Sequence, residues 1–210
     1  MPDFLTIDQV LQQSRDLKQT LEDNILHTIT ILKPYFNIPP ETNLRTPSIS
    51  FDVKVLTGYF FETATFQFDL KDINNSISIA HEVSHYLHEE INPLRGSLPW
   101  VPRWQRVILQ ECVAQYGAKI YAATQDLPVP TYKSGDYPLE LVDTDYSYNQ
   151  YLCHVLGYKR ADALYQRHQH SKLPDVARLS IKESETVLPY LAPINFYEKH
   201  ILPLFTKRRY

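Results

Sequence analysis

Ile79-Ala80-His81-Glu82-Val83-Ser84-His85-Tyr86-Leu87-His88 is the stretch on which the reading of this 210-residue chain turns. It contains His-Glu-x-x-His. On an α-helix, residues four apart lie about 40° apart around the axis and about 6 Å apart along it, so His81 and His85 can hold one metal ion. Glu82 sits about 100° round from His81, at the edge of the same face, where a general base can reach a water beside the metal. Ile79, Ala80, Val83, Tyr86 and Leu87 fall on the opposite side, so one face is predicted to pack into a core and the other to look into a cleft. His88 is read as cleft wall, not as a ligand.

A third ligand is sought downstream. A helix is predicted from about Trp104 to Ala123, with Val107, Ala114, Ala118 and Ala122 on one side and Leu109, Val113, Tyr116 and Ile120 on the other. Such a helix is buried on both sides, yet it carries Glu111. A buried carboxylate is costly unless it is paired or binds a cation. The small alanines would let this helix approach the histidine helix and bring Glu111 to the metal. The other reading of Glu111 is an ion pair with Arg103 or Arg106. Two imidazoles and one carboxylate suit zinc and leave a fourth position open.

Upstream, Thr6 and Gln9 have the spacing of a capping box. Val10, Leu11, Leu17, Leu21, Ile25 and Ile29 predict one or two helices over residues 7 to about 33, ending at Pro34. His27 within them is read as scaffold. After Pro39-Pro40 and Thr46-Pro47 the pattern turns to β. Ile49, Phe51, Val53 and Val55 alternate with polar residues, Thr57-Gly58 reads as a turn, and Thr63 to Leu70 resumes, which suggests two antiparallel strands. Ser76 or Ser78 is the expected cap of the histidine helix.

Downstream, Asn92 to Trp104 is a proline- and tryptophan-rich loop, either a cleft lip or, through Trp100, a core plug. Pro128 to Asp145 is a second loop. A helix is expected from Ser147 to about His170, with Tyr151, His154 and Tyr158 on one face and Gly157 allowing close packing. Short helices follow, the last from about Ile194 to Phe205, before a basic tail. The fold class expected is α+β, with a small antiparallel or mixed sheet, the metal helix and a mainly helical C-terminal part. The whole chain is read as one domain, about 1–91 for the first part and about 92–210 for the helical lobe carrying Glu111.

Composition limits the partners. The balance of 21 Lys plus Arg against 24 Asp plus Glu gives no electrostatic reason to expect nucleic acid. No 18-residue apolar run suggests a membrane span. Cys112 and Cys153 are too few for a disulfide framework, and the N-terminus has no secretory pattern, so a cytoplasmic location is expected. Fifteen tyrosines either line a groove for a peptide-like ligand or fill the rim of the core.

His81-Glu82-x-x-His85 followed by Glu111-Cys112-Val113-Ala114 resembles the gluzincin metallopeptidases over roughly Ser48 to Gly157. Ala64 to Leu70 is similar to the strand that precedes the metal helix in that clan. Ile79-Ala80-His81-Glu82 with Tyr86-Leu87-His88 resembles the ImmA/IrrE-type peptidases, although Ser84 stands where many of those have Gly. The longer helical C-terminal part, with His154-Val155-Leu156-Gly157-Tyr158, is more similar to the minimal gluzincins. The resemblance implies a zincin-like fold and a zinc peptidase acting on a peptide or protein. It also implies His81, His85 and Glu111 as metal ligands, Glu82 as general base, and His154, with Tyr151 a turn earlier, near the oxyanion. It implies substrate addition along Tyr59 to Leu70, and it leaves room for the last six residues to fold into the cleft. A non-catalytic zincin-like binding protein and a zinc hydrolase of a small molecule are the alternatives.

Overall fold

The computed structural model describes residues 7–53, 55, 57–92, 103–131, 145–180 and 183. Thr6, the loop residues 93–102 and 132–144, the expected terminal helix and tail, and the side chains of Tyr151 and Arg103 lie outside the described residues. The chain runs α1 (Ile7–Leu32), a 3₁₀ turn (Lys33–Phe36), β1 (Ser48–Asp52), β2 (Gly58–Phe60), β3 (Thr65–Asp69), α2 (Ser76–Ile91), α3 (Arg103–Thr124), α4 (Asp145–His168) and α5 (Leu173–Ala177). This is an α+β architecture, a three-stranded mixed sheet followed by helices.

Among the described side chains of α1, those that are buried lie in its second half. Leu21, Ile25, Thr28 and Leu32 form a buried stripe at helical spacing, whereas Leu11 and Leu17, expected on that stripe, are exposed at 52% and 37%. Pro34 lies in the first turn of the 3₁₀ segment, and Asn37, at φ 53, turns the chain away. Arg178, just after α5, donates to the carbonyls of Phe36 and Asn37 and so ties this corner to the C-terminal side of the molecule.

The sheet order is β1-β3-β2. β1 runs parallel to β3, with Ile49 opposite Phe66 and Phe51 opposite Phe68, while β2 pairs antiparallel to β3. The expected antiparallel pair is therefore corrected. The chain first reverses between Asp52 and Gly58, so Thr57-Gly58 stands at the end of a reversal, where Gly58 opens β2. The chain reverses again over residues 61–64, where Ala64 adopts φ 51 and its carbonyl accepts from the Ser48 N–H. With β2 and β3 joined by that hairpin, β1 takes the other flank of β3. Phe66 and Phe68 point from β3 into the core with Tyr86 and Phe36. Each such fully buried side chain contributes about 1.5–3 kcal/mol.

α2 lies between the α1 and sheet layer and α3. Its N-cap is Asn75, whose side-chain oxygen accepts from the N–H groups of Ile77 and Ser78 at 3.1 Å, so neither Ser76 nor Ser78 is the cap. Its far end is anchored twice. Arg45 contacts Glu90 at 3.2 Å and donates to the Tyr59 hydroxyl, and Tyr86 donates to the Arg45 carbonyl. Asn92 donates to the carbonyls of Ala177 and Leu179.

α3 is buried on every side from Ile108 to Ala122, as its nearly uniform mix of apolar and small residues requires. It is packed between α2 and α4. The buried Lys119 of α3 meets Asp162 of α4 at 2.5 Å and also donates to the Pro130 carbonyl, which fixes the register of the two helices. Among the described residues, no helix is long and apolar enough to cross a membrane.

Candidate metal centre

His81 and His85 lie one turn apart on α2 with ring centroids 4.9 Å apart and planes nearly perpendicular. Glu111 reaches them from α3. Its Oε2 is 3.4 Å from His81 Nε2 and its Oε1 is 3.4 Å from His85 Nε2. Two donors bound to one zinc ion at about 2.0–2.1 Å in tetrahedral geometry are about 3.3–3.4 Å apart. One donor atom from each of His81, His85 and Glu111 can be chosen so that all three lie within 4.8 Å of one another. The three residues therefore form a candidate metal site.

Two close helix approaches create this meeting. Gly117 of α3 faces Ser84 of α2, and a Cβ at 117 would come within 2.8 Å of the Ser84 Cβ. Gly117 is thus a notch between α2 and α3, and it is a residue that the expected row of alanines did not include. Gly157 of α4 faces Glu111 itself, and a Cβ there would lie 2.5 Å from the Glu111 Cβ. The close packing expected at Gly157 is found at that contact.

The site is nearly closed to solvent: Glu111 is 6% exposed and Glu82 7%. Burial alone would raise the Glu111 pKa, but the charges of His154 and His85 and the contacts with His154 and His81 hold it well below the usual 4.5. Burial alone would lower the His81 pKa. The contact with Glu111, the nearby charge of Glu82 and a hydrogen bond shared with Gln115 outweigh it, and the pKa is raised. In the metal-free protein Glu111 is accordingly an anion facing a cluster of imidazoles.

That state fits a bound cation. Glu111 Oε2 and His85 Nδ1 are buried, and no hydrogen bond of normal geometry reaches either among the described residues. A buried carboxylate anion is expensive, and a cation bound at its other oxygen offsets the cost. The donors are two imidazoles and a carboxylate, a set suited to a borderline divalent ion such as zinc. The Glu111 partners among the contacts described are histidines, not Arg106, and the Arg103 side chain lies outside the described residues.

α4 supplies the remaining wall. His154 Nδ1 lies 2.9 Å from Glu111 Oε2. Tyr158, one turn on, stands edge-on to both His81 and His154 with centroids 5.8 and 6.2 Å away. From the sheet side Phe61, just past β2, meets His85 edge-on at 5.8 Å. Tyr158, Gln115 and Phe61 were not among the residues expected at the site. Tyr158 shares a predicted helix face with His154, a signal that was present and unused.

His88 is not cleft wall. It is buried at 1% exposure, and burial, with smaller effects from His85 and Arg106, lowers its pKa to about 3, so it is a neutral core residue. The Tyr59 to Leu70 edge is also corrected. β3 is the central strand, and among the described residues β2 is the outer strand on that side.

Comparison of the chain with protein-family models, with curated proteins and with solved structures finds no match.

Proposed function

We propose that this chain is a zinc-dependent peptidase of the gluzincin type, with a zincin-like arrangement of sheet, metal helix and third-ligand helix. The observation that carries the proposal is the convergence of Glu111 with His81 and His85 at 3.4 Å spacings, together with a Glu at the position after the first histidine. A purely structural zinc site closes with four protein ligands and has no use for a base. Three ligands beside a buried Glu82 match a site built for hydrolysis.

Zinc held by His81, His85 and Glu111 would supply a Lewis acid for the substrate carbonyl and an acidified water, whose pKa falls from 15.7 towards about 7. Glu82, the residue after the first histidine, would be the general base for that water and the group that returns a proton to the departing amine. His154, and Tyr158 in the place expected for Tyr151, whose side chain lies outside the described residues, would be the α4 side chains available to the oxygen on which charge develops. The outer edge of β2, with Phe61 leading to His85, would be the strand to which an extended peptide adds. Main-chain hydrogen bonds to that edge would hold the peptide against the metal face.

The test is Glu82→Gln, compared with wild type on a mixed peptide library with mass-spectrometric readout of new termini. Removing a general base lowers turnover by about 10²–10⁴-fold, while zinc content should stay near wild type. Undiminished cleavage by the Gln variant would rule out Glu82 as the base.

A further inference from the structure

We infer that His154 is a positioning residue for the third ligand. Through Nδ1 it holds one oxygen of Glu111 and so presents the other to the metal. The inference rests on the metal-site reading above and adds to it a residue that acts on the metal through Glu111.

Three observations lead there. First, His154 Nδ1 is 2.9 Å from Glu111 Oε2, closer than either proposed ligand histidine comes to that carboxylate. Second, His154 is not part of the group whose donor atoms all fall within one metal's reach. It approaches the carboxylate from α4, and the other ligands approach from α2.

Third, the backbone is shaped for this contact. Gly157, three residues on from His154, is where α4 comes closest to α3. A Cβ there would meet the Glu111 Cβ at 2.5 Å, the Cys112 nitrogen at 2.9 Å and the Ile108 carbonyl at 3.0 Å. The notch seats α4 on the turn of α3 that carries Glu111, and one turn back along α4 the His154 ring lands on the carboxylate. Lys119 and Asp162 clamp the same two helices further along.

A carboxylate with free rotation about its last bond offers either oxygen in many orientations. With Oε2 held by an N–H donor, Oε1 is left on the His85 side, 3.4 Å from His85 Nε2. Partners of this kind orient a metal ligand, and losing one typically weakens metal affinity about 10–100-fold. The amide nitrogen of Asn occupies nearly the place of a histidine Nδ1, whereas that of Gln reaches towards the place of Nε2. This difference separates donation to Glu111 from the other uses of the ring.

The experiment measures cobalt(II) and zinc affinity of the metal-stripped wild type, His154→Asn, His154→Gln and His154→Leu, with the visible spectrum of the cobalt forms and thermal melting without metal. Expected are wild-type affinity within a few-fold for Asn and a loss of about 10–100-fold for Leu and Gln. The cobalt spectrum should keep its four-coordinate intensity in every form that binds. Equal affinity in all four proteins, or an Asn variant as weak as Leu, overturns the inference while leaving the metal site in place. A change of coordination number on substitution would make His154 a ligand and also overturn it. If the Leu variant does not fold, the Asn and Gln pair carries the same comparison. Failure of the wild type to bind either metal defeats the metal reading itself.

Discussion

Gly117 of α3 and Ser84 of α2 stand so close that a methyl group on Gly117 would come within 2.8 Å of the Ser84 Cβ. The Ser84 hydroxyl is already committed, donating to the Ala80 carbonyl at 2.7 Å inside its own helix. Real Cβ atoms do not approach so closely, so the separation of α2 and α3 is set by the absence of a side chain at 117. Glu111 lies less than two turns before this contact on the same helix. The distance from the carboxylate to the two histidines therefore depends on it.

Gly117→Ala is accordingly expected to cost about 1–3 kcal/mol of stability through overpacking and to weaken metal binding by moving Glu111 outward. Adding Ser84→Gly should restore part of both, less the cost of about 1 kcal/mol for a helical glycine. Thermal melting and zinc titration of the single and double variants check this. An alanine variant as stable and as tight-binding as wild type would show that the helices can separate without consequence.

Gly157→Ala tests the other contact. Two of the three atoms its Cβ would meet are backbone, the Cys112 nitrogen and the Ile108 carbonyl oxygen, which cannot turn aside as a flexible side chain can. The expected loss is again about 1–3 kcal/mol, and no nearby side-chain truncation should recover it fully. Chemical denaturation of the variant, alone and with Cys112→Ala, measures this.

The ionisation of the site predicts a pH profile for the metal-free protein. Glu111 has a folded pKa below its usual 4.5, so its contribution is present above pH 4.5 and is lost as pH falls through the folded value. His81 has a folded pKa above its usual 6.5. Its contribution is complete below pH 6.5 and is lost as pH rises through the folded value. Both shifts report the same attraction, disrupted from either end. His88, neutral in the fold with its pKa lowered to about 3, withdraws stability as pH falls below about 6.5. Protein kept in chelator should therefore melt highest near the upper end of the window of about pH 4.5 to 6.5. Added zinc should raise the melting temperature most above that window, because the metal requires the neutral imidazole. A chelated protein that becomes steadily more stable from pH 6 to 9 would contradict this.

What could be read from the sequence was what periodicity encodes. The metal helix follows from His81 and His85 at four-residue spacing with apolar residues opposite. Glu111 stands out because a carboxylate sits in a helix that is otherwise apolar or small on both sides. The sheet order could not be read in the same way. The chain reverses twice. The first reversal ends at Thr57-Gly58, which has turn chemistry, but the second, residues 61–64, has neither Gly nor Pro and depends on Ala64 at φ 51, so the short strand between them left no signal. The apolar spacing at Leu11 and Leu17 carried no information about whether a partner surface reaches that end of α1. It does not reach Leu11 or Leu17 among the described residues, and both are exposed. The roles of Gly117 and Gly157 depend on which helices meet, a tertiary fact that local spacing cannot contain.

The most direct measurement is the metal content and zinc affinity of purified wild type and Glu111→Ala, by elemental mass spectrometry and competition titration. About one zinc per chain in wild type, lost or greatly weakened in the variant, is the expected result. Wild-type protein that takes up no zinc when supplied with it would contradict the metal centre. So would an Ala variant that binds zinc as tightly as wild type.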